Sequence, residues 1–163
     1  GITEKYANVT VVKSMSKDFG IAGIRAGYAI MNPERVTELL DHGYLWNTSG
    51  IAEYFFGLFD RPEFLAEYRQ ELATYKTYID KFTQKTSAFD FVQCFDTSAN
   101  FQLMQMPAGI SAEVVAGLLL VRHGIYARSC GDKIGLNGEF LRVAIRTESE
   151  NTKVLIALED ILS

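Results

Sequence analysis

Four residues near the start of the chain have side chains suited to covalent chemistry on a phosphorylated carbonyl compound. Lys17 carries an amine, which attacks carbonyl carbon when burial or a neighbouring cation favours its uncharged form. Ser14 and Ser16 offer hydroxyl donors to an anion, and Arg25 carries a planar, permanently charged group that suits phosphate. Arg25 is also a candidate for the neighbouring cation. The spacing therefore indicates a lysine imine formed beside a bound phosphate.

The elements around these residues fit a ligand site. Residues 9–12 (VTVV) are apolar and β-branched, which predicts a buried strand, so Lys17 is expected in the loop beyond it. Ligands bind beyond strand ends in α/β sheets, and Gly20 and Gly23 allow close approach of the backbone. This combination points to pyridoxal phosphate. The simpler alternative, which composition alone favours, is a solvated loop with turn-forming serines and surface cations. The Ser14–Lys17 spacing also occurs in serine acyl-transfer enzymes, but the further motifs of that chemistry are absent from the sequence.

Residues 14–30 (SMSKDFGIAGIRAGYAI) resemble the lysine motif of fold-type-I pyridoxal-phosphate enzymes. The similarity is greatest to the histidinol-phosphate aminotransferase branch of class I and II aminotransferases. The resemblance implies that Lys17 forms the imine with pyridoxal 5′-phosphate and that Ser14 and Arg25 bind its phosphate. Ser16 matches the second hydroxyl position of the motif and is assigned to cofactor binding as well.

A second resemblance to the same branch lies near the end of the chain, in residues 124–128 (GIYAR) and 140–151 (FLRVAIRTESEN). It implies that Arg142 binds the α-carboxylate of the substrate. It also implies that Arg128 contacts a distal phosphate, as in histidinol-phosphate aminotransferases and related threonine-phosphate decarboxylases. From the residues alone, Arg142 could be an ordinary exposed strand residue and Arg128 could mark a strand end. Arg146 is assigned a structural or exposed role.

The resemblance implies an α/β protein of fold type I. We expect residues 1–60 to be the end of the large cofactor-binding domain, 61–88 a connecting helix, and 89–163 an α+β small domain. Helices are predicted over 34–42, 51–59, 63–85, 111–123 and 148–162, and strands over 27–31, 91–95, 100–106, 125–128 and 141–146. The ring-stacking aromatic residue and the ring-nitrogen aspartate of the family have no counterpart in the 163 residues. We therefore interpret the chain as a C-terminal fragment that is inactive alone.

Composition limits the possible partners. The net charge is −4 and the cations are scattered, which argues against nucleic-acid binding. No apolar stretch approaches the length of a membrane span, and the two cysteines lack the spacing of metal ligands, so we expect neither a membrane nor a metal site. The resemblance implies a cytoplasmic homodimer that acts on small amino acid and 2-oxo acid substrates.

The leading functional hypothesis is an aminotransferase that moves an amino group between an amino acid, or an amino-phosphate such as histidinol phosphate, and a 2-oxo acid. One alternative is a threonine-phosphate-type decarboxylase, and another is a non-catalytic interaction domain with a degenerate motif. Residues 46–53 (WNTSGIAE) also resemble aminotransferase domains fused behind nucleotidyltransferases. A capped helix start explains that segment equally well.

Overall fold

The computed structural model describes residues 1–43 and 48–163. The chain forms two compact units, Gly1–Glu67 and Tyr68–Ser163, and their boundary falls inside a long helix. Trp46 and Asn47, which begin the segment similar to fused aminotransferase domains, lie outside the described residues. The division into residues 1–60, 61–88 and 89–163 stays a proposal for the whole protein. Across the described ranges, every helix is too short or too polar to cross a bilayer.

The first unit contains a two-stranded hairpin and several helices. Its elements are α1 (Ile2–Lys5), β1 (Val11–Ser14), α2 (Met15–Asp18), a 3₁₀ turn (Ala22–Ile24), β2 (Gly27–Ile30), α3 (Pro33–His42), α4 (Gly50–Gly57), a second 3₁₀ turn (Leu58–Asp60) and the start of α5 (Pro62–Thr86). Asn32 caps α3 by accepting a hydrogen bond from the Glu34 amide at 2.8 Å, and Pro33 occupies the first turn. The predicted start of this helix is confirmed.

Two predictions for the hairpin are wrong. The strands were expected to be buried, but Val12 is 77% exposed and Ile30 is 47% exposed. A β-branched composition predicts that a segment forms a strand, but it does not predict which elements cover that strand. In the described part of the chain, no third strand pairs with the hairpin. Strand β1 also ends two residues later than expected. Lys17 consequently lies on the short helix α2 rather than in a loop.

An aromatic cluster anchors the segment that carries Lys17. The ring of Phe19, two residues further on, lies 5.3 Å from the rings of Phe55 and Phe59, centroid to centroid. Both contacts are edge-on, the favoured geometry for aromatic pairs. Met15, on the other side of Lys17, is fully buried. Apolar packing on both sides therefore fixes α2 while the lysine side chain stays exposed.

The second unit is a four-stranded antiparallel sheet packed with helices. Its elements after α5 are β3 (Gln93–Cys94), β4 (Phe101–Gln105), α6 (Ala112–His123), β5 (Arg128–Ser129), β6 (Phe140–Ala144) and α7 (Glu148–Leu162). The strand order is β3-β4-β6-β5. Phe82 of α5, Leu119 of α6 and Leu158 of α7 meet Met104 and Leu141 of the central strands in one buried core. The structure thus agrees with the expected α+β layer.

The first turn of α6 is capped by a residue distant in the sequence. Ser111 occupies the cap position that the sequence predicts but makes no side-chain capping hydrogen bond. Instead the Glu139 carboxylate accepts a hydrogen bond from the Ala112 amide at 2.7 Å. A carboxylate at this end of a helix is also favoured by the helix dipole.

Glu139→Ala is therefore expected to lower the free energy of unfolding by about 1–2 kcal/mol. Ser111→Ala removes no capping hydrogen bond, so its cost is expected to stay below about 0.5 kcal/mol. Urea unfolding followed by circular dichroism measures both values. Equal losses for the two variants would show that Glu139 does not cap α6.

Candidate functional site

The predicted cofactor residues of the first unit lie at one end of the hairpin. Ser14 ends β1 directly opposite Gly27, which begins β2. The Ser14 hydroxyl oxygen accepts a hydrogen bond from the Ser16 amide at 3.3 Å, so it caps the turn that carries Lys17. Arg25 precedes Gly27 by two residues and therefore lies at the same end. Residues that are eleven positions apart in the chain are thus brought together by strand pairing.

Lys17 and Arg25 are exposed cations that have no counterion within residues 1–43 and 48–163. Among the described residues neither side chain contacts a carboxylate. The Arg25 backbone is left-handed, with φ 54°, which is uncommon for a residue other than glycine. One guanidinium nitrogen donates to the Ala22 carbonyl at 3.0 Å, which fixes the base of the side chain. The remaining donors of Arg25 stay available to an anion.

The neighbouring Lys13 has a different environment. Its amine lies 2.7 Å from the Asp18 carboxylate. The hydrogen bond to Asp18 raises the pKa of Lys13, so this amine is held in its charged form. The Lys13 amine is therefore occupied by an ion pair, whereas the Lys17 amine contacts no carboxylate among the described residues. Sequence reasoning did not identify Asp18, although its position beside Lys17 was a usable signal.

Gly27 is required by the close approach of the two strands. A β-carbon at this position would lie 2.7 Å from the Lys13 carbonyl oxygen, which is closer than real contacts allow. Gly23, in the same motif, has nothing within 4 Å of the equivalent point. The two glycines therefore form a matched pair for substitution.

Gly27→Ala is expected to separate the strands below Ser14 and to weaken cofactor binding by about tenfold or more, because misplaced phosphate donors lose charge-assisted hydrogen bonds. Titration of the full-length apoprotein with pyridoxal phosphate, followed by absorbance, measures the affinity. Gly23→Ala meets no steric obstacle in the described chain and serves as the control. Wild-type affinity in Gly27→Ala would contradict this role.

The two predicted substrate arginines lie opposite each other on neighbouring strands of the second unit's sheet. Arg128 of β5 lies directly opposite Arg142 of β6, and Arg142 lies opposite Leu103 of β4. Because successive strand residues point to opposite faces, this row lies on the face away from the buried Leu141 and Val143. Both arginines are half-buried.

A pair of like charges directly opposite each other is destabilising unless an anion neutralises it. Arg142 has no carboxylate partner in the described ranges; its guanidinium carbon lies 5.0 Å from the centre of the Phe101 ring. Arg128 donates to the Asp132 carboxylate at 3.1 Å. The arginine pair is thus suited to a ligand with two anionic groups.

These observations allow a test of whether the chain fits pyridoxal phosphate. The first unit offers the Lys17 amine for an aldehyde, with hydroxyl and guanidinium donors for a phosphate at the same end of the hairpin. The second unit offers two guanidinium groups for an anionic substrate. The donors of the first unit therefore fit the cofactor, and the two arginines of the second unit, taken by themselves, fit an acidic amino acid derivative. Asp132 and Asp18 are ion-pair partners that motif analysis did not identify.

Comparison with known proteins gives a family match over nearly the whole chain. Residues 2–158 match the model of aminotransferase class I and II. L-serine phosphate decarboxylase from Sulfurospirillum multivorans is 43% identical over 98% of this chain and 41% of its own length. The chain thus spans about two fifths of that curated relative.

Solved structures agree. A decarboxylase from Sulfurospirillum multivorans matches with a TM-score of 0.93 and 42% identity, over 99% of this chain and 46% of that chain. The histidinol-phosphate aminotransferase from Clostridium acetobutylicum matches with a TM-score of 0.84 and 30% identity, over 98% and 47%. The expected fold class, α/β of fold type I, and the family resemblance are confirmed. The cofactor expected from that resemblance is the cofactor of this family.

Proposed function

The chain belongs to the class I and II aminotransferase family, and on this premise we propose that the full-length protein is a pyridoxal-phosphate-dependent decarboxylase of a phosphorylated amino acid such as L-serine phosphate. The observation that carries the proposal is the 43% identity with an L-serine phosphate decarboxylase over 98% of this chain. Aminotransferase activity, the leading hypothesis from the sequence, is supported at the level of the family. It becomes the second candidate, favoured by the 30% identity with a histidinol-phosphate aminotransferase.

The arginine pair supports a substrate with two anionic groups. In this proposal Arg142 binds the α-carboxylate in a bidentate manner and Arg128 binds the phosphate. Their opposed positions on β5 and β6 place the two guanidinium groups on one face of the sheet. The repulsion between them in the free protein is relieved when both anions are bound.

Lys17 carries the covalent chemistry. Its exposed amine would bind the cofactor aldehyde, while Ser14, Ser16 and Arg25 would bind the cofactor phosphate. Bound pyridoxal 5′-phosphate supplies an electron sink for the pair left on the α-carbon. The Lys17 amine would also hold and deliver the proton that the α-carbon takes up. The overall change consumes one proton, releases carbon dioxide and leaves the amine on the product.

The same residues serve transamination when a different bond at the α-carbon is broken. Arg142 would influence whether decarboxylation or transamination occurs only through the orientation in which it holds the carboxylate. Decarboxylation needs no 2-oxo acid, whereas transamination does. That difference provides the test. Homodimer formation and cytoplasmic location stay predictions.

The experiment supplies full-length protein and pyridoxal phosphate with L-serine phosphate, with and without 2-oxoglutarate, and measures carbon dioxide and the phosphorylated amine. We expect carbon dioxide and amine in equal amounts, independent of 2-oxoglutarate. Lys17→Ala protein provides the blank. Turnover that needs 2-oxoglutarate and releases no carbon dioxide would reject the decarboxylase and support the aminotransferase.

A further inference from the structure

Among the predicted site cations, Arg128 is the one that pairs with a carboxylate within the described residues. Asp132 lies four residues further along the chain, in the loop between β5 and β6. One carboxylate oxygen of Asp132 lies 3.1 Å from a guanidinium nitrogen of Arg128 and 2.6 Å from the Lys133 amine. Two cations therefore share one anionic oxygen.

The shared oxygen sets the geometry of the two cations. Because the Arg128 and Lys133 nitrogens both contact that oxygen, the two nitrogens lie close to each other. A phosphate group presents three acceptor oxygens, so it can accept from both donors at once. The loop backbone is held by hydrogen bonds from Cys130 to Phe140 at 2.8 Å and from Lys133 to Cys130 at 3.1 Å. The three side chains thus occupy a defined turn beside β5.

The charges of Arg128, Asp132 and Lys133 also favour the binding of a phosphate. The hydrogen bond from Lys133, together with the charge of Arg128, holds the pKa of the Asp132 carboxyl below its usual range. Asp132 therefore carries its full negative charge at neutral pH. Its side chain is 57% exposed, so water can solvate the carboxylate when it leaves the cations. A phosphate monoester carries nearly two negative charges at pH 7 and competes well against a single carboxylate.

We propose that Lys133 is a second cation for the substrate's phosphate and that Asp132 occupies the phosphate position in the free protein. Asp132 acts as a positioning residue that keeps Arg128 and Lys133 together until the phosphate displaces it. This inference rests on the proposed function and adds to it a residue that selects phosphorylated over unphosphorylated amino acids. Motif similarity assigned no role to either residue.

The test measures binding of L-serine phosphate and L-serine by calorimetry. Full-length Lys17→Ala protein is used, because without turnover the affinity is read independently of the reaction. Lys133→Gln is expected to weaken L-serine phosphate binding by about tenfold and to leave L-serine binding unchanged. Lys133→Arg is expected to restore most of the affinity. Lys153→Gln, on the exposed side of α7, is the control.

Asp132→Asn keeps a hydrogen-bond acceptor for Arg128 but removes the competing charge. It is expected to tighten L-serine phosphate binding several-fold. Weaker binding in this variant would overturn the role of Asp132, and unchanged or equally reduced binding of both ligands in Lys133→Gln would overturn the role of Lys133. Absence of L-serine phosphate binding in the Lys17→Ala parent would overturn the substrate assignment together with this inference.

Discussion

Lys17→Ala is expected to abolish turnover of the full-length protein, with kcat lowered by about 10²–10⁴-fold or more. The substitution removes the only amine of its segment that is not held in an ion pair within the described residues, since Lys13 is bound to Asp18. The absorbance band of lysine-linked cofactor is expected to disappear at the same time. Steady-state kinetics and an absorbance spectrum measure the two effects.

Lys5→Ala is the matched control, because Lys5 is an exposed lysine of the same unit. It is expected to keep both the turnover and the spectrum of the parent. Retention of the lysine-linked spectrum in Lys17→Ala would contradict the assignment and indicate that another lysine binds the cofactor. Added methylamine offers a further check, since a small amine can replace the missing one in proton transfer.

Arg142→Gln is expected to lower kcat/KM by about 10²-fold or more. If Arg142 has its proposed role, the substitution removes two charge-assisted hydrogen bonds to the substrate carboxylate, which together contribute about 3 kcal/mol or more. The free energy of unfolding is expected to change by less than about 1 kcal/mol, because relief of repulsion from Arg128 offsets the lost contact with Phe101. Kinetics and urea unfolding of the same preparation separate the two effects.

Arg146→Gln is the control for Arg142→Gln. Arg146 follows the same strand but is exposed and paired with Glu150 at 2.7 Å. Its loss is expected to leave kcat/KM unchanged, in agreement with the structural or exposed role assigned from the sequence. A similar loss of activity in both variants would mean that the strand end, rather than Arg142 itself, is required.

The helices could be predicted because their signals are local. Helix α7 begins and ends where its sequence predicts, and the Thr147 hydroxyl and Glu150 carboxylate form a capping box at its start. Pro33 likewise marks the start of α3. The length of a strand depends on distant pairing partners, which local sequence does not reveal. Longer strands were expected for β3 and β5, and each is only two residues long. The exposure of β1 and β2 was not predictable for the same reason.

The site could be predicted in part. The types and order of the residues around Lys17 were enough to identify the motif, and its similarity to a known family assigned their roles. The opposition of Arg128 and Arg142 was not predictable, because their register depends on the conformation of the loop between them. Asp132 and Asp18 were missed since an ion pair depends on side-chain rotamers as well as on spacing.

The sequence motif does not distinguish a decarboxylase from an aminotransferase. In the proposed site, both reactions would use Lys17, the same phosphate donors and the same arginine for the carboxylate. The preference for decarboxylation comes from the similarity to an L-serine phosphate decarboxylase. A single isotopic measurement on the product can decide the matter.

The most direct test is to incubate full-length protein, pyridoxal phosphate and L-serine phosphate in D₂O without any 2-oxo acid and to examine the product by NMR. We expect a phosphorylated amine with one deuterium on the carbon that carried the carboxylate, delivered from the Lys17 amine. We also expect that carboxylate to be released as carbon dioxide. Substrate that stays unreacted until a 2-oxo acid is added, and that then keeps its carboxylate, would contradict the proposed decarboxylation.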